Sequence, residues 1–193
     1  VAGGRLAAEI IGTAIRYSPD PGVLVIADNT ITRQDPAHVN LNAARLSGFR
    51  EVVRERFPGI RCDVQCVETG LQSNAQNDQI VDLLNAKKGT VNAVYLIPAI
   101  NPPFLDALEE SGYYDTVNVV HDLDTTALHY LDKHLLTAAV HQNPILQGYY
   151  AVKVLEYIVE SGTREPLRNV EIASNVVFAE NKDVTRNHFD FIG

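Results

Sequence analysis

Hydrophobic positions along the chain switch repeatedly between a helical repeat and short apolar runs. Leu6, Ile10 and Ala14 recur at helical spacing within residues 5–16. Pro19, Asp20, Pro21 and Gly22 break that helix, and the run Val23 to Asp28 reads as a short buried strand. A polar loop over 29–39 leads to a predicted helix over 40–57, whose apolar stripe runs through Leu41, Gly48, Phe49, Val52 and Val53 before Pro58 and Gly59 close it. A strand over 60–68 follows, then a helix over 74–87 with Ile80, Leu83 and Leu84 inward. Gly89 ends that helix, and a strand over 92–99 comes next.

Asn101 followed by Pro102 and Pro103 supplies a cap residue and Pro at the first helical position, and Gly112 stops that helix. Strands over 116–122 and 135–142 flank a short helix over 125–133. The longest amphipathic helix, 144–161, carries Ile145, Tyr149, Val152, Leu155 and Val159 at helical spacing, and a last strand over 170–179 precedes a polar tail. Such alternation predicts an α/β fold: a doubly wound parallel sheet, right-handed crossovers, and helices on both faces.

Composition narrows the function classes. The chain has 193 residues and a net charge of −8, which argues against gripping a polyanion by itself. Its densest basic cluster, Arg50, Arg54 and Arg56, is interleaved with Glu51 and Glu55 and reads as a solvated helix face. No apolar run is long enough to span a bilayer, so no membrane partner is expected. The first residues lack the basic head and apolar stretch of a secretory signal. The sequence contains no Met, the mark of a processed or cut-down product. Cys62 and Cys66 lie four residues apart in one extended run, about 13 Å along a strand and beyond disulfide reach. They read as two reduced thiols on one strand face, which favours a reducing, cytoplasmic compartment.

Four residues stand out as candidate ligand contacts. Arg45 falls on the apolar stripe of its helix, where a guanidinium needs oxygen partners. Those could be ligand hydroxyls or a carboxylate such as Asp28, unless the position is exposed. Asp122 ends a strand and could accept two hydroxyls, or cap the next helix, a task Asp124 could equally perform. Gln142 ends the next strand where the chain passes into Pro144; its amide can donate and accept at once. Asn101 is explained by capping alone, with ligand contact as the alternative. Polar groups at carboxyl ends of parallel strands are where open α/β sheets collect ligands. His121 and His141 precede Asp122 and Gln142, and adjacent strand positions face opposite ways. No metal-ligand spacing, nucleophile elbow, Walker loop or dinucleotide fingerprint is present. An enzyme is not expected, and no metal or cofactor is implied.

Several segments together resemble the type I periplasmic-binding-protein fold, in the version used by LacI-family transcription regulators. AGGRLAAEIIG resembles the helix after the family's first interlobe crossover, ARLSGFREVVRERFP its R-x-x-G-F-R-E segment, AVYLIPAIN its fourth-strand region, VNVVHDLD its acid-bearing strand, and HQNPILQGYYAVKVLEYIVESG its return crossover and following helix. The resemblance implies that residues 1–141 form mainly the carboxyl-terminal lobe of an effector-binding domain. Residues 142–193 would then supply the crossover, a helix of the amino-terminal lobe, and a returning strand. It places Arg45, Asn101, Asp122 and Gln142 at positions where the family contacts sugars. It also implies a small polar effector, a homodimer, and operator DNA bound through an amino-terminal headpiece that this sequence lacks. A periplasmic sugar-binding protein of an ABC transporter would share the fold and the site.

Overall fold

The structure, a computed structural model, describes residues 1–32, 40–68, 73–99, 102–162 and 170–183. Elements alternate as α1 (Ala2–Ile15), β1 (Gly22–Asp28), a 3-10 turn (Asn29–Thr32), α2 (Leu41–Arg56), β2 (Arg61–Val67), α3 (Ser73–Lys87) and β3 (Ala93–Ala99). They continue as α4 (Pro102–Glu110), β4 (Val117–His121), α5 (Thr125–Asp132), β5 (Ala138–His141), α6 (Pro144–Ser161) and β6 (Asn175–Val177).

The strands form one sheet in the order β2-β1-β3-β4-β5-β6. The first five are parallel, as the alternation predicts, while β6 returns antiparallel to β5 and pairs Val177 with Ala139. That last strand is shorter than the expected 170–179, because β5 offers only four residues to pair with.

Burial follows the two faces of the sheet. Every residue of β1 is buried. Leu24 and Ile26 pack with Ile80, Leu84, Leu105, Leu108 and Leu131 of α3, α4 and α5. Val23, Val25 and Ala27 point the other way, onto Ile11, Phe49 and Val53 of α1 and α2. A strand covered on both sides has no polar face to alternate with, which is why Val23 to Ala27 is a continuous apolar run. The fully buried face of α1 includes Gly4, Ala7, Ala8, Ile11 and Ile15, while Leu6 and Ile10 pack partly buried at its border and Ala14 is exposed. The stripe expected on α2 differs in one place, since Leu41 is exposed at the helix start.

Helices α1 and α2 pack closely because α1 carries glycine at the crossing. A Cβ on Gly4 would lie 1.9 Å from the carbonyl oxygen of Arg45, so any side chain there would push α2 away. Gly4 therefore serves helix approach, and through it fixes the helix that carries Arg45.

Helix α6 differs from the rest. None of its 18 residues is buried, and Tyr149, Val152, Leu155 and Val159 are all exposed. Among the described residues no helix is long and apolar enough to cross a membrane.

Candidate functional site

The strand order β2-β1-β3-β4-β5 reverses direction between β1 and β3, and in open α/β sheets ligands bind outside the carboxyl ends at such a switch point. Asp28 closes β1, Asp122 follows β4, and Gln142 follows β5. Arg45 reaches the same edge from the second turn of α2, a helix begun by Asn40, whose side chain accepts from Ala43 N at 3.0 Å.

Arg45 is only 7% exposed, yet its charge is well met. Nη1 donates to the Ile97 carbonyl at 3.0 Å and to Asn42 Oδ1 at 3.3 Å. Nη2 lies 3.4 Å from Asp122 Oδ2. The Gln142 side-chain amide lies against this donor-only group, which assigns its oxygen to the Arg45 side; in that orientation it accepts from Nη2 at 2.7 Å and from Nε at 3.3 Å. The structure thus brings together three of the four predicted residues: Arg45, Asp122 and Gln142. Asn101 lies outside the described residues.

The sequence left Asp122 and Asp124 as rival caps for α5. Asp124 takes the role, its side chain accepting from Ala127 N at 2.8 Å, so the Asp122 carboxylate is left for the strand-end cluster. Asp122 has φ of 66°, in the left-handed region that Asp tolerates better than most residues but still at a cost of about 1 kcal/mol. Its amide continues the sheet ladder by donating to the Val140 carbonyl at 2.9 Å. Backbone held in an uncommon conformation, with the carboxylate turned to a half-open edge, is the kind of outlier that clusters at binding sites.

Asn42 was not singled out in the sequence. Its Nδ2 donates to Asp28 Oδ2 at 2.9 Å while its Oδ1 accepts from Arg45, so it links two charges that do not touch. The available signal was its position three residues before Arg45, where helix neighbours meet. This arrangement also replaces a direct Arg45–Asp28 pair, one of the alternatives the sequence left open, with a bridged one.

His121 is fully buried at the end of β4, on the sheet face that packs against α1. Its Nε2 lies 2.6 Å from the Tyr95 hydroxyl, and Tyr95 stacks on Phe49 with ring centroids 4.6 Å apart. Burial pushes the Tyr95 pKa up, so the phenol stays protonated, and the direction of its hydrogen bond with Nε2 follows the imidazole tautomer. Burial, reinforced by the nearby Arg45 charge, pushes His121 down to about 3. A Cβ on Gly3 would come within 2.8 Å of the imidazole Cε1, so α1 packs directly on this ring. The imidazole is a core group rather than a proton carrier for Asp122. His141 is also buried, and burial lowers its pKa while Asp122 partly opposes the shift. Cys62 and Cys66 are both free and exposed on β2, and no metal-binding group of three or more His, Cys, Asp or Glu occurs among the described residues.

Comparison with curated proteins yields no match. Solved structures do resemble this one. A candidate LacI transcriptional regulator from Bacteroides fragilis superimposes with a TM-score of 0.76 at 17% identity, over 94% of this chain and 60% of that one. A carbohydrate transporter solute-binding protein from Agrobacterium radiobacter, in complex with D-arabinose, gives 0.74 at 23% identity over 96% and 61%. An ABC transporter periplasmic solute-binding protein from Actinobacillus succinogenes, with bound D-allose, gives 0.72 at 17% identity over 95% and 61%. The chain spans about three fifths of the length of these structures. At such identities the likeness establishes the type I periplasmic-binding-protein-like fold. The sequence itself matches the model of the periplasmic binding protein domain over residues 1–163, and the chain belongs to that family.

Proposed function

We propose that this chain is the sugar-sensing part of a LacI-type transcription regulator, binding a sugar or similar small polar effector at the carboxyl ends of β1, β4 and β5. The observation that carries the reading is the cluster of Arg45, Asp122 and Gln142, three polar side chains converging at a switch-point edge with Asp122 in left-handed backbone. A carboxylate accepting two hydroxyls is a common requirement of polyol recognition, and pockets of this kind need only a few placed polar groups. Asp122 would orient the ligand, Arg45 and Gln142 would complete the wall, and Asn101 would add a contact from the β3 end. Gln142 also begins the passage into α6, so ligand binding there would bias two interlobe arrangements, one of them favoured by operator DNA. DNA contact would belong to a headpiece, consistent with the acidity of this chain, and the regulator would act in the cytoplasm as a dimer.

A second reading, a solute-binding protein feeding a transporter, is favoured by the sugars bound in two of the matching structures. It predicts the same site. A regulator binds operator DNA with an affinity that its sugar changes, whereas a solute-binding protein does neither.

A thermal-shift screen of sugars on the full chain tests the shared part. Ligand at 100-fold above its Kd stabilises by about 2.7 kcal/mol, and Asp122→Ala is expected to abolish that shift. An unchanged shift in the variant removes Asp122 from the site.

A further inference from the structure

Strand β2 closes one edge of the sheet and β6 the other, and the two edges are unlike. β6 has three residues, too few to recruit a further strand, and short edges of that kind are a usual defence against pairing. β2 has seven, contains no Pro, and pairs with β1 residue for residue from Arg61 to Val67 without a bulge. Its free backbone groups can be assigned. The Arg61 amide donates inward, to the Pro21 carbonyl at 2.9 Å. Successive residues turn their N–H and C=O to alternate edges, so Asp63, Gln65 and Val67 also face β1, while Cys62, Val64 and Cys66 face outward. Among the described residues no strand meets that edge.

The outward triplet, Cys-Val-Cys, reads the same in both directions, which is what a two-fold contact between identical surfaces requires. We propose that β2 pairs antiparallel with β2 of a second copy of this chain, about an axis through Val64. In that register all of β2 is matched, and Cys62 stands opposite Cys66 of the other copy. Each outward residue exchanges both backbone bonds with its opposite, in pairs about 5.5 Å apart at Cα. Both thiols are free and exposed. On the other face of the strand, where Lys87 of α3 holds Asp63 at 2.7 Å, Asp63 meets Gln65 of the other copy, an acceptor against a donor. The same two side chains already bond within one copy, Gln65 Nε2 to Asp63 Oδ1 at 2.6 Å. Moving the axis one residue to Asp63 would oppose two carboxylates, which disfavours that register. The inference rests on the sheet edge alone and does not depend on the sugar-binding reading.

Two experiments on the full chain test it. Val64→Pro removes an outward donor and leaves the ladder with β1 intact, so it should weaken dimerisation at least tenfold in sedimentation equilibrium while circular dichroism shows the fold unchanged. A folded Val64→Pro that dimerises like the unmodified chain overturns the proposal, as does an unmodified chain that stays monomeric. The cysteines supply a test that needs no proline. Like cysteines of the two copies would lie about 13 Å apart along the paired strands, beyond the span of a short bifunctional maleimide that bridges Cys62 to Cys66. Cys62→Ser alone and Cys66→Ser alone should each fail to form a covalent dimer, and an equal mixture of the two should form one. Mildly alkaline buffer is needed, because burial raises the Cys62 pKa. No cross-link in the mixture, or equal cross-linking by either variant alone, overturns the pairing.

Discussion

The strand-end cluster and helix α6 read alike in the sequence, as chemistry-bearing residues set in an amphipathic frame, but they end in opposite conditions. At the strand ends, a charged residue on an apolar stripe is buried and its donors are matched by Asn42, Ile97, Asp122 and Gln142. On α6, apolar residues at helical spacing are exposed, Val159 by 81%. Periodicity says which face of a helix seeks burial; only a partner element supplies it. Helix α2 has the sheet and α1 against it. No described element gives α6 the same cover.

The largest expected effect separates the two regions by packing. Phe49→Ala removes a fully buried ring stacked on Tyr95, beneath Arg45, and should cost about 3–5 kcal/mol in urea unfolding. A cost below 1 kcal/mol would show that α2 is not held as tightly as the packing indicates.

Acid should act next, through the same buried layer. Folded His121 stays neutral down to about pH 3, while the unfolded chain protonates it near 6.5. The unfolded state therefore binds more protons between these values, and stability, fully present above 6.5, falls as pH falls toward 3. From pH 6.5 to 5 this amounts to about 1.5 kcal/mol, and the downward shift of His141 has the same sign. Unfolding curves of His121→Gln should be flatter over that window, and an unchanged slope would place the proton uptake elsewhere.

The smallest effect belongs to α6. Leu155 is exposed, so Leu155→Ala should change the stability of this chain by less than about 0.5 kcal/mol. A loss of 2 kcal/mol or more would show that the helix is covered in solution.

How much of this was legible beforehand follows the same division. The strand runs, the Pro and Gly breaks, and the span 144–161 could be read directly, because local periodicity and helix-end chemistry determine them. Arg45 was conspicuous for sitting on an apolar stripe, and Asp122 and Gln142 for ending strands. What could not be read was pairing across the sheet. That Asp124 caps α5 and so frees Asp122 depends on a local geometry both acids could satisfy. That Asn42 joins Asp28 to Arg45 depends on how closely α2 approaches the end of β1. The centre of the buried face of α1 could not be read either, because small residues, Gly4, Ala7 and Ala8, line it where helices nearly touch, while the larger Leu6 and Ile10 sit partly buried at its border.

The central claim is that ligand is held at the carboxyl ends of β4 and β5. Amide and guanidinium NMR shifts of the chain, followed as a sugar identified in the thermal screen is added, test it most directly. The account predicts changes at Arg45 Nε–H, the Asp122 amide and the Gln142 side-chain amide, with Val152, Leu155 and Val159 of α6 unmoved. A sugar that binds while leaving residues 45, 122 and 142 unperturbed would contradict it.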